Sequence, residues 1–245
     1  PNSHPRSGSE KVQNSRLEAI TQTDRGYRLS FERRGASATE VEAGLVILTL
    51  PFSILRRIAL RFPMPAPKRR AIFELGYGLD AKLYFGVERR LWRECGYSGN
   101  LFSDEPFQLA WDSSRMQPGP AGSVTMLVGG RRGLQLGEGD AQDHVERLLP
   151  SLEKVWTGLG AVRGTRLGRF HWPTHRYALA AYACYKPGQY TTIRGWEGRS
   201  VGRLLFAGEH CSRDSQGYME GAAATGRQAA ERALALLGRA ARRAA

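Results

Sequence analysis

The sequence predicts an α/β (α+β) protein in which both ends of the chain form one discontinuous domain and the middle forms an inserted domain. Two observations support this prediction. Strand, turn and helix patterns occur near both ends of the chain, and a loop-rich middle segment with a different residue pattern separates them. A proline-rich stretch at residues 61–67 marks the first crossing. We therefore expect segments at residues 1–66, 67–172 and 173–245, with residues 1–15 as a polar, disordered lead-in.

The first segment carries the pattern of a β-meander followed by a buried strand. Residues 17–20 and 27–31 are strand-like, and turn-forming residues at 23–26 lie between them. The apolar run at residues 45–50 is short, rich in β-branched side chains and bounded by glycine and proline. This run predicts a strand that is covered on both faces near the centre of a sheet.

The inserted segment combines strands with a helix. Residues 82–87 and 123–128 predict strands, and the stretch between them is rich in glycine and proline. Residues 140–156 repeat apolar side chains at helical spacing, with Pro150 as a predicted kink. Together these elements predict a mixed-sheet domain.

The last segment returns to a strand, a polar turn and an alanine-rich helix, at residues 203–207, 208–217 and 219–237. A helix that opens among glycines exposes main-chain N–H groups, which can stabilise an anionic or electron-rich ligand edge. Glu209 follows the strand directly, where a carboxylate can accept hydrogen bonds from ligand hydroxyls. The same residues also fit an ordinary strand-to-helix connection with a surface glutamate.

Composition and charge narrow the range of functions that the chain could have. The chain has 245 residues, 41% of them hydrophobic, and it lacks an apolar run of about 18 residues that would predict a membrane span. Its net charge of +13 comes mainly from scattered arginines without a nucleic-acid-binding motif, so we expect neither a nucleic-acid nor a membrane partner. Cys95, Cys184 and Cys211 are widely spaced, which favours a cytoplasmic location, with secretion after processing left open. A proline between His171 and His175 argues against a metal pair.

Five motifs occur in order along the chain: Val46-Ile-Leu-Thr-Leu-Pro51, Ala81-Lys-Leu-Tyr-Phe85, an aromatic stretch at residues 172–188, Phe206-Ala-Gly-Glu-His210, and Gly217-Tyr-Met-Glu-Gly-Ala222. Together they resemble the flavin monoamine oxidase family, which includes amine, polyamine and L-amino-acid oxidases. The resemblance covers nearly all of the chain after residue 16. It implies that the discontinuous domain binds FAD and that the inserted domain binds the substrate.

The resemblance assigns cofactor contacts to residues near both ends of the chain. It implies that Glu209 binds the ribityl or pyrophosphate region of FAD, next to Gly208. The main chain of Met219, after Gly217, would donate toward the pyrimidine ring of the flavin. Leu17 falls where the family has a main-chain contact with the adenine.

The resemblance also assigns the residues nearest the chemistry. Tyr182 and Tyr218 match the two aromatic residues that face each other before the flavin, and Trp172 would pack beside the isoalloxazine. Lys82 would hold a water at flavin N5 and assist the reaction with oxygen. Taken singly, each of these residues also fits core packing or, for Lys82, a side chain that points to solvent. Ala181 stands where some relatives carry a cysteine bonded to the flavin, so we expect noncovalent FAD.

The implied reaction is hydride transfer from an amine or L-amino acid to flavin N5, followed by release of imine and, after reaction with oxygen, hydrogen peroxide. The family's G-x-G-x-x-G motif does not occur in the sequence, which begins at Pro1. We therefore expect an N-terminal FAD-binding chain or subunit as a partner, this chain being a processed subunit or a fragment. The alternatives are a polyamine oxidase or another flavin oxidoreductase of the same fold, and a non-catalytic basic interaction module.

Overall fold

The computed structural model describes residues 10–35 and 37–244, with side chains up to residue 238. The chain divides into two compact units, one formed by Pro1–Leu75 together with Lys186–Ala245, the other by Gly76–Tyr185. An α/β chain with a discontinuous unit and an inserted unit is therefore confirmed. The first nine residues of the predicted lead-in at 1–15 lie outside the described residues.

The strands, in chain order, are β1 Ser15–Thr23, β2 Gly26–Arg33, β3 Thr39–Ala43, β4 Val46–Leu48, β5 Ala59–Arg61, β6 Ala81–Val87, β7 Asn100–Phe102, β8 Leu109–Asp112, β9 Gly122–Val128, β10 Arg163–His171 and β11 Leu204–Phe206. The α-helices are α1 Phe52–Leu55, α2 Ala66–Glu74, α3 Leu91–Glu94, α4 Gly130–Gln135, α5 Ala141–Glu153, α6 Gln189–Thr192 and α7 Met219–Ala244. Short 3-10 turns occupy Gly160–Val162, Trp172–Thr174 and Glu209–Cys211.

The discontinuous unit contains two sheets. One has the order β3-β2-β1-β5, with β1 antiparallel to β2 and parallel to β5. In the other, β11 pairs in parallel with β4, so the strand before Glu209 is held by a strand from the opposite end of the chain. The predicted meander is confirmed, but the strand predicted at 45–50 is shorter and Ile47 is 37% exposed. One face of β4 is therefore open, because the described chain covers only the other.

The structure moves both expected domain boundaries toward the C-terminus. Helix α2 belongs to the discontinuous unit, since the Lys68 ammonium donates to the carbonyls of Trp196 and Glu197. The first crossing therefore lies after Leu75 rather than after residue 66. The return lies after Tyr185 rather than after residue 172, because residues 181–184 hydrogen-bond to residues 76–78 within the inserted unit.

The inserted unit is built on a five-stranded sheet of order β10-β6-β9-β8-β7. All four of its strand pairs are antiparallel, so the mixture of parallel and antiparallel pairs expected here occurs instead in the β3-β2-β1-β5 sheet. Helix α5 continues through Pro150 and packs its apolar side against one face of the sheet. The buried core of the unit comprises Leu83, Phe85, Val87, Trp92, Phe107, Ala110, Val124, Met126, Val145, Leu148, Leu149, Leu152, Trp156 and Leu159.

Candidate functional site

The loop after β11 is shaped by a glycine and tied to helix α7. Gly208 has φ 135° and ψ 169°, and a Cβ at this position would lie 2.6 Å from the His210 ring. Only glycine adopts this backbone region readily. The Gly208 N–H donates to the Thr225 hydroxyl at 3.0 Å, and that hydroxyl lies 2.9 Å from the Gly208 carbonyl oxygen. The strand end is therefore fixed against α7 by one side chain.

Glu209 directs its carboxylate to the start of the same helix. Its Oε2 accepts a hydrogen bond from the Gly217 N–H at 2.7 Å. Gly217 has φ 86°, a left-handed conformation that favours glycine. Gly221 must also lack a side chain, because a Cβ there would lie 2.1 Å from the Ser215 carbonyl oxygen. The polar turn thus folds tightly and leaves the N-terminus of α7 beside a carboxylate.

The residues at this N-terminus are open to a ligand. Met219 begins α7, and its side chain is 90% exposed, while the preceding Tyr218 is 72% exposed. The first N–H groups of an α-helix have no acceptor within the helix, so they bind a ligand, water or a capping group. At this end of the helix the dipole favours negative charge.

Leu17 lies in the other sheet of the same unit. It is half-buried in β1, opposite Phe31 of β2, and the strand register shifts between Leu17 and Ala19. Such an irregularity interrupts the ladder and frees main-chain groups for other partners. In the same unit, the Tyr27 hydroxyl of β2 donates to the carbonyl of Val201, just before β11, at 2.9 Å.

A cluster of buried polar side chains packs next to the loop that carries Glu209. The Lys68 ammonium donates to the Glu197 carbonyl at 2.5 Å and lies 3.3 Å from the centre of the Phe206 ring. Burial lowers the pKa of Lys68 to about 7. Burial also lowers the pKa of His210 to about 4 and raises that of Cys211 to about 12. This cysteine is therefore a neutral packing residue rather than a reactive thiolate.

Lys82 lies on the sheet face of the inserted unit that is opposite its core. Strand alternation buries Leu83 and Phe85 beneath the sheet and leaves Lys82 half-buried on the other face. Its ammonium lies 5.8 Å from the centre of the Trp111 ring, within the range of a cation–π contact. The structure thus brings together a lysine and a tryptophan that stand far apart in the sequence.

Trp172 and Tyr182 both lie next to the beginning of β6. The Trp172 N–H donates to the Asp80 carbonyl at 3.3 Å, and its ring lies 4.4 Å from that of Phe170. The Tyr182 carbonyl accepts from the Gly78 N–H at 2.9 Å, and its ring is 44% exposed. Lys82, Trp172 and Tyr182, which were predicted separately, therefore flank one end of a single strand.

The residue between them, Asp80, was not predicted from the sequence. It is 6% exposed, and burial raises the pKa of its carboxyl, while a hydrogen bond from the Tyr182 side chain opposes that rise. The sequence did contain a signal that could have identified Asp80. It stands two residues before Lys82, and strand alternation puts both side chains on the same face.

The described residues contain neither a metal-binding cluster nor a helix that could span a membrane. Within residues 10–35 and 37–244, no group of three or more His, Cys, Asp or Glu side chains is arranged to hold a metal ion. His171 and His175 flank a 3-10 turn that contains Pro173. Among the helices that the structure describes, none is long and apolar enough to cross a membrane.

The structure combines a discontinuous α/β unit, which carries a carboxylate at a helix N-terminus, with an inserted antiparallel sheet, which carries a lysine on the face opposite its core. Residues 5–234 match the model of the flavin containing amine oxidoreductase family. The chain belongs to this family, whose cofactor is FAD.

Known proteins agree with this assignment. The chain is 26% identical over 220 residues to an L-amino acid dehydrogenase of Synechocystis sp., covering 89% of this chain and 45% of that protein. It is 24% identical to flavin-containing amine oxidase B of Cavia porcellus, covering 81% and 39%. Its fold matches cyclohexylamine oxidase from Brevibacterium oxydans with a TM-score of 0.79 and 19% identity, covering 91% and 48%. The chain thus spans about half the length of the relatives that it matches.

The described residues fit part of an FAD site. The turn is tight, because a Cβ at Gly208 or Gly221 would clash with His210 or Ser215, and Gly217 has a left-handed φ of 86°. Glu209 offers a carboxylate for hydroxyl donors, and the exposed start of α7 offers N–H groups for an electron-rich ring edge.

Proposed function

We propose that this chain forms the FAD-contacting and substrate-binding parts of an enzyme that oxidises an amine or an L-amino acid. The discontinuous unit would be the FAD-binding domain, and the inserted unit the substrate domain. The observation that carries the proposal is the turn from Gly208 to Gly217, which places Glu209 at the start of α7 within a chain of this family.

Five residues of the discontinuous unit would hold the cofactor. Gly208 and Gly217 would shape the turn next to it, Glu209 would accept hydrogen bonds from its hydroxyls, and the main chain of Met219 would donate to its ring system. Leu17 would contribute main-chain contacts at the register shift of β1. When bound, FAD supplies the acceptor for a hydride from the carbon that bears the amine, yielding an imine that hydrolyses to a carbonyl compound and ammonia.

The attachment of FAD would be noncovalent. Ala181 offers only a methyl group next to Tyr182, so this position has no nucleophile that could form a bond to the flavin. Binding would therefore depend on hydrogen bonds and packing, and the cofactor could be removed and replaced.

Aromatic and charged side chains would bind and orient the substrate. Tyr218 in one unit and Tyr182 in the other are exposed aromatic rings, whose faces attract amines and ammonium groups. Lys82 would place its ammonium near the reacting ring and orient a water, and Trp172 would offer a packing surface.

A partner would complete the site. The sequence lacks the G-x-G-x-x-G turn that binds dinucleotide phosphates, and the chain spans 45% of the Synechocystis dehydrogenase. We infer that residues outside this chain, on a linked segment or on a separate subunit, hold the FAD phosphates. Molecular oxygen would be the second substrate of an oxidase.

A dehydrogenase is the second candidate function. One relative is named as an L-amino acid dehydrogenase, which suggests transfer of the electrons to an acceptor other than oxygen. The two candidates share the amine half of the reaction and differ only in how the reduced flavin is reoxidised.

The test is to produce the chain together with its complementing half, load the complex with FAD and supply a panel of amines and L-amino acids. Peroxide formed in air supports an oxidase, whereas turnover seen only with an artificial dye acceptor under nitrogen supports a dehydrogenase. A complex that binds no FAD, or that binds FAD and oxidises neither substrate class with either acceptor, would contradict the proposal. The control is the same complex without FAD.

A further inference from the structure

The buried carboxylate of Asp80 lies at the meeting point of three predicted site residues. It stands just before β6, is 6% exposed, and among the described residues no donor bonds to its Oδ2. Taking a carboxylate out of water is costly unless other groups compensate for the lost solvation. A buried acid with one unsatisfied oxygen therefore calls for a specific structural or functional explanation.

The surroundings of Asp80 are shaped to admit its side chain. A Cβ at Gly78 would lie 2.9 Å from Oδ2, and a Cβ at Gly129 would lie 2.6 Å from Oδ1. Both glycines therefore leave room for the carboxylate on its two sides. The pairing of Ala81 with Val128 in the β6-β9 ladder sets this geometry, since it places Asp80 next to Gly129.

Three segments converge on this residue. Lys82 lies two positions along the same strand face. The Trp172 N–H donates to the Asp80 main-chain carbonyl at 3.3 Å. The chain at Tyr182 is held by two main-chain hydrogen bonds to Gly78, each 2.9 Å long, which bring the tyrosine beside the carboxylate.

We propose that Asp80 is a positioning residue whose carboxylate accepts a hydrogen bond from the Tyr182 hydroxyl and so fixes the orientation of that ring. The ring is 44% exposed, so it is only partly enclosed by its neighbours. A hydrogen bond at its tip selects one rotamer and holds the aromatic face in place. The importance of this for amine binding rests on the function proposed above for Tyr182.

The titration behaviour of Asp80 agrees with this contact. Burial raises the pKa of Asp80, and the Tyr182 hydrogen bond opposes the rise because it stabilises the ionised carboxylate. Removing the Tyr182 hydroxyl should therefore raise the pKa of Asp80 further.

The first test uses the full chain without cofactor. All tyrosines are replaced by 3-fluorotyrosine, and the Tyr182 signal in the ¹⁹F NMR spectrum is identified from its loss in Tyr182→Phe. In Asp80→Ala this signal should shift while the other tyrosine signals stay, and Asp80→Asn, which keeps an acceptor oxygen, should restore it in part. Asp104→Ala, which removes an exposed aspartate of the same unit, is the matched control and should leave the Tyr182 signal in place.

The second test measures Asp80 itself and uses an Asp80 variant only to assign the signal. Aspartate carboxyl carbons are labelled with ¹³C, the Asp80 signal is assigned by Asp80→Asn, and its pKa is compared between the wild-type chain and Tyr182→Phe. A rise in Tyr182→Phe supports the contact. An unchanged pKa of Asp80, or a Tyr182 fluorine signal unmoved in Asp80→Ala, would overturn the proposal.

The third test measures the FAD-loaded complex. Loss of a hydrogen bond to a charged group corresponds to about tenfold in an equilibrium constant. We expect Asp80→Ala to raise KM by about that factor with a smaller change in kcat, and Asp80→Asn to recover part of it. If the wild-type complex oxidises no amine, the proposed function fails, but the two NMR tests still decide whether Asp80 positions Tyr182.

Discussion

The Glu209 carboxylate accepts a hydrogen bond from the main-chain N–H of Gly217, with 2.7 Å between Oε2 and the nitrogen. This bond closes the turn between β11 and α7 and places a negative charge at the start of a helix, where the helix dipole stabilises it. A ligand hydroxyl can bind the other carboxylate oxygen without breaking this bond, since an ionised carboxylate accepts several hydrogen bonds. Glu209 can therefore organise the turn and bind a cofactor at once.

Replacing Glu209 should weaken FAD binding. We expect Glu209→Ala to lower the FAD affinity of the complex at least tenfold, because a hydrogen bond to a charged group contributes about 1.5–3 kcal/mol. Glu209→Gln should lose less, since its amide keeps an acceptor oxygen. Titration of the cofactor-free complex with FAD, followed by flavin fluorescence, measures the change. Glu220→Gln, on the exposed first turn of α7, is the control, and an equal loss in both variants would argue against a specific role for Glu209.

Replacement by alanine should change the stability of the folded chain in opposite directions at two glycines of this region. Gly208→Ala forces a Cβ to 2.6 Å from the His210 ring at a φ of 135°, and we expect it to destabilise the chain by about 1–3 kcal/mol. Gly226 lies inside α7 with nothing within 4 Å of its Cβ position, so Gly226→Ala should stabilise the chain by about 0.5–1 kcal/mol. Urea denaturation monitored by circular dichroism measures both. Destabilisation by Gly226→Ala of the same size as by Gly208→Ala would show that the turn geometry is not what matters.

Removing the ammonium of Lys82 should affect reoxidation rather than cofactor binding. In the FAD-loaded complex we expect Lys82→Met to slow the reaction of reduced flavin with oxygen by about tenfold or more, the range of a lost preorganised charge contact. FAD affinity should stay within about twofold, because the cofactor contacts proposed here come from the other unit. Stopped-flow absorbance after anaerobic reduction measures the rate, and Lys154→Met, which changes an exposed lysine of the same unit, is the control. An unchanged rate in Lys82→Met would favour the dehydrogenase alternative.

Asp112 should stabilise the inserted unit in a pH-dependent way. Burial alone would raise the pKa of Asp112, but hydrogen bonds from the Ser114 hydroxyl, the Ser114 N–H and the Trp92 indole lower it below its usual value. A carboxylate with a lowered pKa in the folded state contributes stability above its unfolded pKa of about 3.9, and that stability is lost as pH falls through the folded value. We expect Asp112→Asn to cost about 1.5–3 kcal/mol at pH 7 and less below pH of about 3.

Urea denaturation at both pH values checks this expectation for Asp112. Asp104→Asn, an exposed aspartate of the same unit, should change stability little at either pH. A cost of Asp112→Asn that is the same at both pH values would mean that its charge contributes nothing. Residues 111–114 thus form a structural turn in which Asp112 accepts hydrogen bonds from Ser114 and Trp92.

The sequence by itself determined the discontinuous arrangement, most of the strands and the long C-terminal helix. It could do so because burial of one face leaves a period of two or of 3.6 residues in the local pattern. The motif around Glu209 was also visible, since the glycines that a tight turn requires are close together in the chain.

Only the tertiary structure decided the features that depend on residues far apart in sequence. The crossing after Leu75 depends on Lys68 reaching the carbonyls of Trp196 and Glu197. The open face of β4 at Ile47 and the cation–π contact of Lys82 with Trp111 arise from strand neighbours that no local period records. Asp80 looks like an ordinary turn aspartate until β6, β9 and the chain at Tyr182 bury it together, because burial is a property of the assembled neighbours and not of the residue.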